Sequence, residues 1–154
     1  MSDSVETTGS SRVLSASSGE RLFVLGDDVI VKLSGKDTGG RFALFEIVTQ
    51  AGAGPPPHIH ANEDETFIVI EGEYEFLIGK ETKRVKAGGI VFGPRAVPHT
   101  FKNVGSAPGR MYALCTPSGF EEFFRKVDRA VGRATPDMSK LTDIGRESGL
   151  TFLA

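Results

Sequence analysis

The chain has a single cysteine, Cys115, no tryptophan and only three histidines in 154 residues. One cysteine excludes an internal disulfide framework and favours a reducing compartment, so the expected location is the cytoplasm. No apolar run approaches the ~18 residues of a membrane-spanning helix, and a membrane is not among the expected partners. Charge of one sign is scarce as well. Eighteen basic against twenty acidic residues leave a formal charge of −2, without the basic excess that would hold nucleic acid or an anionic surface. The first twenty residues, MSDSVETTGSSRVLSASSGE, have neither the basic start nor the apolar middle of a signal peptide. Residues 1–20 are expected to form a flexible lead-in.

What is present in quantity is short apolar runs broken by glycine and proline. RLFVL, DDVIVKL, RFALFEIVT, ETFIVIEG, EYEFLIG, TKRVKAG, GIVFG, HTFKNV and RMYALC are strand-like in length and in β-branched or aromatic content. Turn signals such as AGAGPPP, GPRAVP and GSAPG separate them. Many short strands with regular turns mean a sandwich, barrel or jelly roll, here over residues 21–117. GKDTGG lacks the Lys-Ser/Thr of a phosphate loop and is read as a wide hairpin turn. The last segment, 118–154, changes period. Ser118 and Glu121 have capping-box spacing, and Phe120, Phe123, Phe124, Val127 and Val131 follow at helical intervals. A second short helix is expected from Thr135, with Pro136 in its first position and Met138, Leu141 and Ile144 on one face. Both helices read as cover for the core, with a lid over a barrel mouth as the alternative. GLTFLA reads as a final strand or a packed extension.

The histidines are not scattered. His58 and His60 stand one residue apart behind three prolines, and His99 begins an apolar strand behind Pro98. Residues two apart on a strand share a face, so His58 and His60 point one way and Ile59 the other. Glu65 shares parity with Phe67 and Val69; if that face lines the interior, its carboxylate points where the histidines point. Glu63 and Asp64 are placed in the intervening turn. Taken singly, each histidine is explained as a structural or surface residue. Taken together, three imidazoles and one carboxylate suit a single divalent transition metal ion: Fe, Ni, Mn, Co, Cu or Zn. Four protein ligands leave up to two positions open on an octahedral ion, the layout of a catalytic site. Cys115 reads as a buried thiol, Arg95 as a solvated turn residue, and Glu46 as either an inward carboxylate or a cross-strand partner.

These residues resemble the cupins, in particular small single-domain, quercetinase-like ones. The first cupin motif, GxxxxxHxHxxxxExxxxxxG, is matched by Gly52, His58, His60, Glu65 and Gly72; the second, GxxxxxPxGxxHxxxN, by Gly88, Pro94, His99 and Asn103. Ala96 departs from it, standing where the family has glycine. The resemblance implies an all-β, double-stranded β-helix or jelly-roll barrel with one or two C-terminal α-helices packed on it. It implies a metal held by His58, His60, Glu65 and His99, and Phe67, Tyr74, Phe76, Ile78, Phe101 and Met111 as candidates to line an apolar pocket for a small-molecule substrate. It also implies a homodimer, in which the RLFVL strand could extend a partner's sheet. The activity expected is a dioxygenase-like oxidoreductase acting on an aromatic or enolic molecule, with Glu65 as the catalytic base. The alternatives are a metal-dependent isomerase, decarboxylase or cyclase that does not use O₂, and a non-catalytic binding protein.

Overall fold

A computed structural model describes residues 11–153. The proposed lead-in therefore falls partly outside the described residues, and β1 (Glu20–Val24) begins at its end. Strands β2 (Asp27–Leu33) and β3 (Ala43–Thr49) follow, then β4 (His58–His60), β5 (Asp64–Glu71), β6 (Glu73–Ile78) and β7 (Glu81–Lys86). The barrel strands end with β8 (Ile90–Gly93), β9 (His99–Asn103) and β10 (Gly109–Thr116). The GKDTGG segment is more than a turn. Gly35–Thr38 make one helical turn, α1, because Asp37 turns back to accept from the Ser34 amide at 2.9 Å.

Two antiparallel sheets face each other in a jelly roll, with strand orders β1-β2-β3-β10-β5-β8 and β11-β4-β9-β6-β7, where β11 is Leu150–Phe152. Alternation decides the inner face. In β5, Glu65, Phe67 and Val69 are buried while Thr66 and Ile68 are less so; in β10, Met111, Ala113 and Cys115 are buried against them. Each fully buried large side chain contributes roughly 1.5–3 kcal/mol, and Phe45, Phe67, Tyr74, Phe76 and Met111 supply most of the bulk. Glu46 lies on the outer face, where Arg110 donates to it at 2.9 Å and Lys32 approaches to 3.4 Å. Of its two readings, the cross-strand partner holds.

The run Gly54–Pro57 brings the chain into β4. A Cβ on Gly54 would lie 1.9 Å from the Phe101 carbonyl oxygen, so only glycine allows this approach. Three successive prolines then hold the chain extended, and Thr100 donates its hydroxyl to the Pro55 carbonyl at 2.6 Å.

Helix α2 (Glu121–Ala130) begins later than the capping-box spacing predicts. Phe120 sits at its N-cap, and the Glu121 carboxylate turns away to accept from Gly35 at 3.0 Å and Gly119 at 2.9 Å. The expected box fails because Glu121 ties the helix to α1 instead. Helix α3 (Met138–Glu147) is capped by Asp137, whose side chain accepts from the Ser139 amide, two residues beyond the expected start at Thr135. GLTFLA becomes β11, pairing with β4. No helix among the described residues is long and apolar enough to cross a membrane.

Candidate metal centre

Four side chains converge inside the barrel from three strands: His58 and His60 from β4, Glu65 from β5 and His99 from β9. All four are buried, and one ligand atom from each lies within 4.8 Å of the others. Register explains the meeting. His58 pairs directly with His99, and Glu65 sits across from Gly93 and Cys115. The His60 and His99 Nε2 atoms each lie 3.1 Å from Glu65 Oε2. For His60 that approach lacks hydrogen-bond alignment, which leaves a buried nitrogen without a hydrogen-bond partner among the described residues.

The Nδ1 atoms of His58 and His60 are occupied, whereas that of His99 is buried without a hydrogen-bond partner among the described residues. His58 Nδ1 lies 2.8 Å from the Pro56 carbonyl, where it donates, and His60 Nδ1 lies 3.0 Å from Glu63 Oε1. Both contacts direct Nε2 toward the centre of the cluster. Glu63 was expected in a turn. It is buried to 4% exposure, because the bend after His60 swings its carboxylate beneath the imidazole. Spacing along a strand gives no signal for such a residue. Asp64 does begin β5, and its carboxylate accepts from Arg95, a surface pair rather than part of the centre.

The electrostatics match a site for a cation. Burial would lower the His60 pKa, but the Glu65 and Glu63 carboxylates outweigh it and lift the ring to about 9. Burial, reinforced by the neighbouring His99 and His60, pulls His58 down to about 4. Burial also works against ionised Glu65, yet the adjoining His60 and His99 hold it well below the usual carboxylate range. Three imidazoles and one carboxylate, with an unpartnered Nε2 pointed inward, are a donor set that fits a divalent transition ion.

The surrounding cavity, about 50 Å³, is walled mainly by apolar side chains. Of the pocket residues expected from the sequence, Phe67 and Phe101 line it. Tyr74, Phe76 and Met111 are packed in the core, and Ile78, opposite His99 on β6, is outside the lining. The remaining aromatic wall comes from the C-terminal segment: Phe120, Phe123 and Phe124 around α2, and Phe152 on β11. The Phe120 ring stands 4.5 Å, centroid to centroid, from that of His60. Their helical period gave the reading of core cover. Their second role, facing the His/Glu cluster, depends on how α2 folds back against β1 and brings Phe123 near Phe152 of β11.

Residues 45–115 match the family model described as the cupin domain. Those residues form a cupin domain. All four converging side chains lie within it, whereas the α2 and β11 wall lies beyond it. An uncharacterized protein of Aquifex aeolicus is 29% identical over 89 residues, 58% of this chain and 69% of that protein. Among solved structures, an RmlC-like cupin from Shewanella frigidimarina superposes with a TM-score of 0.63 at 18% identity, covering 75% of this chain and 98% of that one. A recombinant oxalate oxidase in complex with glycolate superposes with a TM-score of 0.54 at 25% identity, over 62% of this chain and 53% of that one.

Proposed function

We propose that this cupin is a metal-dependent, dioxygenase-like oxidoreductase acting on a small enolic or aromatic molecule. The observation that carries the reading is the placement of an ionised, buried Glu65 against two imidazoles on the wall of an aromatic-lined cavity. His58, His60, Glu65 and His99 would hold the ion, which supplies Lewis acidity to a substrate oxygen and a template for O₂. Glu65 would either stay among the holders of the ion or swing off it to accept the proton of the substrate hydroxyl at a carboxylate oxygen. Glu63 and the Pro56 carbonyl hold the imidazoles of His60 and His58 in orientation. The phenylalanines exclude water and stack on a flat substrate. At about 50 Å³, the cavity suits a small enol better than a flavonol, since drug-sized ligands occupy roughly 300–1,000 Å³. The likeness to an oxalate oxidase in complex with glycolate supports a small substrate.

The test is O₂ uptake by protein loaded with Fe(II), Ni(II) or Mn(II), offered small 1,3-diketones, phenolic enols and, as an oversize control, a flavonol. Metal-dependent uptake with a small enol is expected. No uptake with any of them would overturn the reading, and equal turnover under argon would replace it with an isomerase, decarboxylase or cyclase. The cupin acts as a homodimer in the cytoplasm on this reading. The single buried thiol of Cys115 suits a reducing compartment, and exposed Ile90 and Phe92 on the edge strand β8 suit a covered surface. Light scattering that gave a monomer at micromolar concentration would remove the dimer.

A further inference from the structure

The cavity has a second polar end. Asp27 opens β2 and lines the cavity beside Val24, Leu25, Val29 and Ile47, with 7% of its surface exposed. Because Asp28 pairs with Val48, Asp27 lies beside Thr49 at the end of β3. Thr49 and Tyr74, from β6, are fully buried at 0% exposure. Asp27 Oδ1, Thr49 Oγ1 and Tyr74 Oη are all buried without a hydrogen-bond partner among the described residues. The Thr49 hydroxyl stands close enough to bear on the ionisation of both the Asp27 carboxyl and the Tyr74 phenol, yet no pair of the three meets hydrogen-bond geometry. Burial lifts the Asp27 carboxyl to about 7 and the Tyr74 phenol upward as well.

Buried polar groups are almost always partnered, and a carboxyl oxygen left without a partner inside an apolar barrel is costly. Three such groups come together from three strands, with Asp27 on the cavity wall and Thr49 and Tyr74 in the core behind it, and they require an explanation. Fold stability does not supply one, since apolar residues would close this end of the core at lower cost. The cluster also stands apart from the candidate metal centre. Glu65 lies opposite Cys115 on β10 while Thr49 lies opposite Gly109, with Met111 and Ala113 between. The wall joining the two ends is apolar, through Phe67, Phe101 and Ile47. The cavity is thus polar at both ends and apolar along its length.

We propose that Asp27, backed by Thr49 and Tyr74, forms a second subsite that takes a hydroxyl or amino group at the end of the substrate remote from His58, His60 and Glu65. The proposal rests on the reading of the cavity as a small-molecule site, and adds the class: a slender molecule with a metal-binding oxygen at one end and a hydrogen-bond donor at the other. A ligand with a methyl group in that position would leave Asp27 Oδ1 unpartnered, so the subsite selects against it.

The test uses the full chain loaded with Zn(II), under argon, with straight-chain carboxylates from butyrate to octanoate and their terminally hydroxylated counterparts. Calorimetry is expected to give a preference for the hydroxyl-ended member, at one or more chain lengths, of roughly tenfold or more. Asp27→Ala should remove that preference. Thr49→Val, which keeps the side-chain shape, should reduce it and serves as a second variant. Equal affinities at every length, no measurable binding of either series, or a preference that survives Asp27→Ala would each overturn the subsite. No turnover is involved, so a failed O₂-uptake test leaves this result standing, and equal affinities here leave the O₂ reading standing.

Discussion

Glu63 Oε1 stands 3.0 Å from Nδ1 of His60, with both side chains buried. The carboxylate accepts a hydrogen bond from Nδ1–H, which leaves Nε2 as the nitrogen that gives up its proton to a metal at the cluster formed with His58, Glu65 and His99. A carboxylate behind a metal-binding imidazole also raises its basicity. Replacing it with an amide removes the charge and permits the wrong tautomer. Glu63→Gln should therefore weaken divalent metal binding by roughly 10–100-fold while the protein stays folded. Competition against a chelator of known affinity, with circular dichroism as the folding control, measures both.

The barrel and the convergence of His58, His60, Glu65 and His99 were legible in the sequence for a geometric reason. Strand side chains alternate strictly, so parity alone assigns His58 with His60, and Glu65 with Phe67, to a shared face. Glu63 was not legible, because it lies in a bend where no parity applies and its direction depends on the tertiary path. The phenylalanines of α2 were recognised as a buried face, but periodicity cannot say what a buried face meets. Asp27 shares parity with Val29 and Val31, but both faces of DDVIVKL carry apolar residues, and only the β2–β3 register shows which face turns inward.

The strand that carries His58 and His60 is weakly held within the cupin domain, touching β9 through the single pair His58–His99. Its longer partner is β11, where Leu150 sits opposite His60 and Phe152 opposite His58. Removing residues 149–154 should leave β4 held only by the His58–His99 pair and by the Ala96 amide on the His60 carbonyl. Metal affinity should fall by tenfold or more, on the order of the 1.4 kcal/mol that a few lost ladder bonds represent. Calorimetric titration of the truncated chain with Zn(II) measures it, and unchanged affinity would show that the prolines alone hold β4.

Ala96 occupies a left-handed conformation, φ 66°, at the position where the second cupin motif has glycine. Its amide donates to the His60 carbonyl at 2.7 Å, so the turn cannot relax without disturbing the histidine strand. A non-glycine residue there costs roughly 1–2 kcal/mol, against ~0.4–1 kcal/mol of extra unfolded-chain entropy for glycine. Ala96→Gly should raise stability by about 0.5–1 kcal/mol. Urea unfolding monitored at equilibrium decides it, and a loss of stability would show that the strain is relieved elsewhere.

Asp27 gives the protein a pH dependence of known sign. Burial raises its carboxyl from 3.8 to about 7 in the folded state, while the unfolded chain ionises near the lower value. Between those limits the folded protein keeps a proton that the unfolded chain has lost. The associated stability is fully present below about pH 4, falls through the interval and is gone above about pH 7. At ~1.36 kcal/mol per pKa unit the whole effect is at most about 4 kcal/mol. Asp27→Asn cannot ionise, so its stability relative to the wild type should improve steadily as pH rises from about 4 to about 7. Thermal unfolding of the metal-free proteins across that range isolates the contribution, because His60 and Glu65 titrate alike in both. Parallel curves would mean that Asp27 keeps an ordinary pKa and is not the desolvated group its position requires.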